Sequence, residues 1–365
     1  MICVVSTWPS GHKLKEGMLQ RVAHIDSLMA SAPRNYLDIS FRRFLRKEVR
    51  TEGLATVYCL NFFVHALLIL RLLRAARTVY VHSAYNALRM MVFPTRARII
   101  FDAHGVVPEE CAQQGQAWYG RFLSVAEGAI LRRCHALVCV TQSMLAHFQQ
   151  KHGRRPGREE LILPILPQVG DSGAAAQALQ AGRHADAVIY AGGMQPWQNV
   201  DRMVAAAARR PELRYTFLTG ELAPFEARLR AGGVRSFACE SVAPERVKDY
   251  YLSHTYGFVL RDETLVNLVA CPTKLVEYLY WGVLPVVITP RIGDFDAASL
   301  RAVTLEQFLR GELPDAAAAA EMRRHNQTAV LALIASAQRA LRQVQELLLG
   351  AGQAQETGVS PSALR

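Results

Sequence analysis

Apolar positions along the chain alternate between two spacings. Short β-branched runs at 2–6, 78–82, 98–102 and 136–140 read as buried strands. Between them, stretches near 17–31, 61–76, 84–92, 119–133 and 142–151 carry apolar residues at the three-and-four spacing of a helix with one buried face. Strand and helix in repeated alternation predict a parallel α/β layer, because parallel neighbours need a crossover and a helix is its usual form. The segment "GDSGAAAQALQAGRHA" at 170–185 is small, polar and glycine-bearing, and it reads as a linker. "DAVIYAG" follows and opens a second α/β unit, in which strands at 214–219, 256–260 and 284–288 alternate with helices near 198–208, 221–231, 243–252 and 273–281. A long Ala/Leu/Arg-rich helix is predicted at 314–348, with a disordered polar tail from 351.

The expected organisation is a first Rossmann-like domain at 1–169, the linker at 170–185, a second Rossmann-like domain at 186–330, and a helix and tail at 331–365 that return to the first domain. Ligands of doubly wound sheets bind beyond the C-terminal ends of the strands. Two such halves are therefore expected to face each other across a cleft into which the loops after each strand project.

Length and charge narrow the picture. At 365 residues the chain exceeds the roughly 250–300 at which a single core stops growing. With 51% hydrophobic and 20% charged residues it is globular. A formal charge of +11 calls for an acidic partner: nucleic acid, an anionic lipid surface or a phosphorylated small molecule. Nucleic acid fits worst, since no aromatic-interleaved basic module or helix-turn-helix accompanies the charge. The seven cysteines lie mostly inside apolar runs and lack metal-ligand spacing, so reduced core thiols and no zinc are expected. "MICVVSTWPSGHK" enters a strand directly, without the basic start and long apolar core of a signal peptide, and a cytoplasmic location is expected. The longest apolar run, "LNFFVHALLIL" at 60–70, is too short to span a bilayer.

Candidate chemistry concentrates in three pieces of the second unit. "YAGGMQPWQNVDRM" at 190–203 is a strand, the pair Gly192–Gly193, a loop and a helix, an arrangement whose open amides can approach a phosphate; an ordinary tight turn has the same pattern. "GFVLRDE" at 257–263 ends a strand with Arg261, whose guanidinium can grip a diphosphate in two places or pair with Asp262 or Glu263 at the rim. In "CPTKLVEYLYWGVLPV" at 271–286, Pro272 and Thr273 open a helix with Lys274 in its first turn, where a lysine opposes the helix dipole unless an anion is present. Leu275 and its apolar neighbours bury that helix, and Glu277 lies one turn on, within reach of ligand hydroxyls.

These residues resemble the donor site of GT-B glycosyltransferases related to family 4. There a P-x-K-x-x-E-Y stretch, here Pro272 to Tyr278, precedes a small-residue turn and an apolar strand; "FDAHGVVPEE" and "DAVIYAGGMQPWQNVD" fit the same family in the same order. The resemblance implies a metal-independent transferase without a bound cofactor, using a nucleotide-diphosphate sugar as donor substrate and a glycan or lipid-linked glycan as acceptor, with retention of configuration, in bacterial surface polysaccharide synthesis. It places the nucleotide on Gly192, Gly193, Pro272, Thr273, Leu275 and Glu277, with Glu277 on the ribose. Arg261 and Lys274 would neutralise the diphosphate, and His104 would sit across the cleft beside the sugar. A His before Gly at a strand end also occurs in plain turns. Two regions depart from the pattern: Val269 stands where many members carry a first glutamate, with Asn267 and Glu263 as nearby substitutes, and Met194 and Gln198 occupy the region of a usual basic pair. A 2-epimerase of the same fold and a non-catalytic membrane scaffold share this architecture. The Asp294-Phe295-Asp296 triplet mimics a metal motif of another transferase fold, and protein cations do the metal's work in GT-B.

In the first half, "FRRFLRKEVR" at 41–50 interleaves cations with apolar residues, and Arg71, Arg74 and Arg77 follow the apolar run. Such mixtures suit an anionic membrane surface, here the inner face of the cell membrane, as well as a solvated loop beside a core helix.

Overall fold

The computed structural model of the chain describes residues 1–10, 17–167, 169–170 and 172–350. They form two compact units: Met1–Pro164 together with the residues from Ser336 onward, and Ile165–Ala335.

The first unit is built on eight strands: β1 (Ile2–Val5), β2 (Arg34–Ser40), β3 (Glu48–Glu52), β4 (Ala55–Asn61), β5 (Thr78–His82), β6 (Arg98–Ala103), β7 (Ala136–Cys139) and β8 (Glu159–Ile162). Their order is β3-β4-β2-β1-β5-β6-β7-β8, and every pairing is parallel except β3 with β4. Helices cover both faces, so β1, β5 and β7 are buried on both sides and read as unbroken apolar runs. The polar residues of β2 hid that strand from a hydrophobic reading, yet Arg34 is paired with Asp26 at 2.6 Å and Asp26 also accepts from Tyr36. The helix expected over 61–76 begins only at Ala66. Asn61 ends β4 instead, because its Oδ1 accepts from the amides of Phe63 and Val64 and closes a turn.

The second unit is a six-stranded, wholly parallel sheet: β9 (His184–Ala191), β10 (Arg214–Leu218), β11 (Phe237–Glu240), β12 (His254–Val259), β13 (Leu284–Val287) and β14 (Val303–Thr304), in the order β11-β10-β9-β12-β13-β14. The stretch expected as a linker, 170–185, carries the helix Ser172–Gln180 and the start of β9. Ala175 and Ala178 of that helix are buried, and both elements lie inside the second unit. Small residues there reflect close packing rather than a tether.

The final helix runs from Ala316 to Leu349, changing unit between Ala335 and Ser336. Its later part belongs to the first unit, where Gln345 donates to the Leu28 carbonyl at 3.1 Å. The expected tail from 351 lies outside the described residues. All seven cysteines are thiols rather than disulfides, and burial pushes Cys3 up to about 12, as expected of a core residue. No helix among the described residues is long and apolar enough to cross a membrane.

Candidate functional site

Each sheet reverses its winding direction once. In the second unit the chain winds from β9 outward through β10 and β11, then starts again at β12 on the other side. The C-terminal ends of β9 and β12 therefore flank the crevice where ligands of such sheets bind. Gly257 aligns with Ile189 across this pair, so the two strands end level and deliver Gly192–Gly193 and Arg261 to one place.

The helix Thr273–Trp281 completes the site. It begins at Pro272 without a side-chain cap, which leaves its first amides available to an anion, and it stops at Gly282, whose left-handed φ of 73° suits glycine. It lies close on the sheet because Gly257 has no side chain: a Cβ there would be 2.4 Å from the Tyr278 ring. Leu275, Val276, Tyr278, Leu279 and Tyr280 are buried, which fixes the helix and with it the positions of Lys274 and Glu277.

Lys274 turns its ammonium inward. Its Nζ donates to Gln198 Oε1 at 3.1 Å and lies 3.8 Å from the centre of the Tyr190 ring. Burial and the neighbouring Arg261 hold its pKa well below the usual lysine range, with Glu277 opposing. A Cβ on Gly192 would stand 2.7 Å from this Nζ and 2.9 Å from Tyr190 Oη, so the glycine leaves the space that the ammonium occupies. Arg261, partly buried, has its pKa lowered by desolvation. Its guanidinium donates to Asn267 Oδ1 at 3.2 Å, and Asn267 is held in turn through its Nδ2 on the Asp262 carbonyl. The acidic neighbours are engaged elsewhere, Asp262 with Arg202 and Asn199, Glu263 with Arg291. Glu277 accepts from Tyr251 Oη at 3.0 Å; burial raises its pKa, and Tyr251 and Lys274 oppose the rise.

Two expectations about this crevice need correction. The glycine turn does not present a full set of open amides: Gly192 N–H donates to the Leu218 carbonyl and Met194 N–H to Glu221 Oε1. Neither Asn267 nor Glu263 replaces the absent first glutamate as a free carboxylate or amide, because Asn267 aims Arg261 and Glu263 is salt-bridged; Val269 itself is buried. Gln198, in the region of the missing basic pair, instead positions Lys274.

His104 lies in the first unit, beyond β6 and close to the reversal between β1 and β5. It belongs to a buried network rather than a plain turn. His104 Nε2 is 2.8 Å from His82 Nδ1, and both nitrogens are 3.5 Å from Asp102 Oδ2. Asp102 also accepts from Tyr80 Oη at 2.9 Å and from Arg21 Nε and Nη2, at 3.0 and 3.1 Å. Arg21 chiefly, and then the histidines, hold the Asp102 carboxyl well below the usual range despite its burial, while burial drives His82 well below its own. The donor atoms of His82, Asp102 and His104 lie within 4.8 Å of one another, as metal ligands would. They suit a hydrogen-bonded network better, because Oδ2 already accepts two hydrogen bonds and the Arg21 charge sits beside it. Arg21, Tyr80, His82 and Asp102 were missed in the sequence; the signal was an aspartate inside the apolar run "RIIFDA", which burial obliges to be paired.

Two Rossmann-like units in one chain, each with a polar site at its winding reversal, are the fold of the GT-B glycosyltransferases. Among solved structures the chain is similar to sucrose-phosphate synthase from Thermosynechococcus elongatus, at 13% identity and a TM-score of 0.66 over 95% of this chain and 98% of that one. It is also similar to the E. coli trehalose-6-phosphate structure bound with UDP-2-fluoro glucose, at 11% identity, TM-score 0.61, over 94% and 99% of the two chains. A third is an α,α-trehalose-phosphate synthase from Burkholderia xenovorans in complex with glucose-6-phosphate, at 10% identity, TM-score 0.58, over 97% and 100%. No family model matches the sequence, and no curated protein matches it.

Proposed function

We propose that the chain is a glycosyltransferase that moves a sugar from a nucleotide-diphosphate donor to a glycan or lipid-linked glycan acceptor, with the donor held by the second unit. The observation that carries this reading is the convergence of Lys274, Arg261, Glu277 and the uncapped start of helix Thr273–Trp281 on one crevice, a set that offers two cations to a diphosphate and one carboxylate to a ribose. Of the similar structures, one is described with a UDP-sugar analogue and another with a sugar phosphate, which makes uridine diphosphate the first nucleotide to test.

In the proposed reaction the bond between the anomeric carbon and the β-phosphate oxygen breaks and a bond to the acceptor hydroxyl forms. The acceptor proton passes to the departing phosphate on the same face, which retains configuration. Charge grows on that phosphate as it leaves, and Lys274 and Arg261 stabilise it in place of a metal. In this reading His104 serves the sugar and acceptor rather than the nucleotide.

A panel of nucleoside diphosphates is expected to raise the thermal midpoint selectively for one base. With that nucleotide, His104→Ala is expected to lower turnover while leaving nucleotide affinity unchanged; equal loss of both would make His104 structural. Consumption of the nucleotide sugar without acceptor would identify an epimerase, and no response to any nucleotide would reject the donor site. Gly192→Ala is a subtler probe. The added methyl displaces the Lys274 ammonium, and affinity is expected to fall by about tenfold, the lower range for a lost charge-assisted contact. Calorimetric titration with unchanged affinity would show that Lys274 does not meet the ligand.

A further inference from the structure

We infer that the first unit docks on an anionic phospholipid bilayer through the C-terminal edge of its sheet. The inference is independent of the transferase reading and has its own readout.

The loop after β2 and the turn after β4 form one built patch. Asn61 Nδ2 donates to the carbonyls of Phe41 and Arg43 while its Oδ1 holds the turn at Phe63 and Val64, so a single buried asparagine ties both segments together. The Phe41 ring lies 4.8 Å from Phe62, and Phe62 lies 5.0 Å from Phe63. From this base the chain presents large apolar side chains to solvent: Leu45 is 68% exposed, Phe63 68% and Leu67 73%. Single exposed leucines are ordinary, but a contiguous apolar patch on fixed backbone marks an interaction surface.

Charge selects the partner. Arg42, Arg43, Arg46 and Lys47 flank Leu45 along the chain, all exposed, and none forms an ion pair among the described residues; the ion pair on this hairpin is Arg50 with Glu52. Apolar tips ringed by unpaired cations fit a bilayer interface, where the tips enter the acyl boundary and the long basic side chains reach lipid phosphates. A second piece lies toward the same edge. The helix Ala117–Arg133 carries Trp118, Phe122 and Val125 at i, i+4 and i+7, with Trp118 77% exposed, and its Tyr119 ring contacts Tyr85 in the first turn after β5. Tryptophan favours the membrane–water boundary.

Flotation of the full chain with vesicles tests the inference. Binding is expected to vesicles of phosphatidylglycerol and phosphatidylcholine in equal parts, to weaken with salt, and to be absent on phosphatidylcholine alone. Each cation near an acidic leaflet is worth about fivefold in binding, so replacing Arg42, Arg43, Arg46 and Lys47 by glutamine should weaken it by at least about tenfold. Leu45→Ser/Phe63→Ser/Leu67→Ser should weaken it comparably while leaving the salt dependence of the remainder. All these positions are exposed, and an unchanged thermal midpoint checks that the variants fold. No binding to anionic vesicles, or binding indifferent to both sets, overturns the inference. So does self-association without lipid that the serine substitutions abolish, which would assign the patch to a second copy of the chain.

Discussion

Lys274→Met is expected to raise the thermal midpoint of the ligand-free protein while weakening nucleoside diphosphate binding by roughly ten- to more than a hundredfold, the range for a lost charge-assisted contact. Both halves follow from one cause. The ammonium is enclosed by Gln198, the Tyr190 ring and the Gly192 backbone, with another cation nearby and no carboxylate in contact among the described residues, so folding strips its water without full compensation. Its folded pKa is therefore depressed. Between that value and the ordinary lysine range, the unfolded chain binds a proton that the folded one lacks. Stability accordingly rises with pH through this window and carries the whole penalty below it. Methionine keeps the length and the contact with Tyr190 but removes the penalty. A bound diphosphate pulls the lysine pKa upward again, so binding should take up a proton and weaken as pH climbs above the free-state value. Calorimetry in two buffers of different ionisation enthalpy reads that proton directly. A lowered midpoint with undiminished affinity would show that the ammonium is well satisfied without a ligand.

The second large effect is expected in the first unit. Arg21→Met should cost about 3–5 kcal/mol, the penalty for leaving one partner of a buried ion pair uncompensated, and a large part of the stability of a typical domain. Arg21 and Asp102 are 1% and 0% exposed. The guanidinium also donates to the carbonyl of Leu163 at 2.9 Å, so it joins the helix Gly17–Ser27, β6 and the chain just after β8. The double variant Arg21→Met/Asp102→Asn should recover part of the loss, because it removes the orphaned charge along with its partner. The depressed Asp102 pKa adds a pH signature: its contribution is present above the unfolded value near 3.8 and is lost as pH falls toward the folded one. Denaturant unfolding of the three variants checks both points. A single-variant cost below about 1 kcal/mol, the scale of an exposed pair, would contradict the assigned role.

The sequence made the doubly buried strands legible. β1, β5, β6 and β7 are apolar runs because helices cover both faces of a parallel sheet, and periodicity finds them. It did not find β2, whose Arg34, Asn35 and Asp38 look like a loop until their partners are seen, nor β3, an exposed antiparallel edge with no apolar face. In the second unit the pieces bearing Gly192, Arg261, Lys274 and Glu277 were legible because each follows a recognisable strand or opens a recognisable helix. What no local pattern could show is how they are aimed: Gln198 and the Tyr190 ring hold Lys274, Tyr251 holds Glu277 and Asn267 holds Arg261, and the register of β9 with β12 brings these pairs to one crevice.

The path of the last helix bears on the order of synthesis. The second unit is one unbroken stretch, whereas the first needs residues from both ends of the chain, including the buried Ala337, Ala340 and Val344 and the bond from Gln345 to Leu28. On the ribosome the second unit therefore has all its parts first. The half made earliest waits, with the surface around Leu28 uncovered, until the second unit has been read through and the residues after Ser336 emerge.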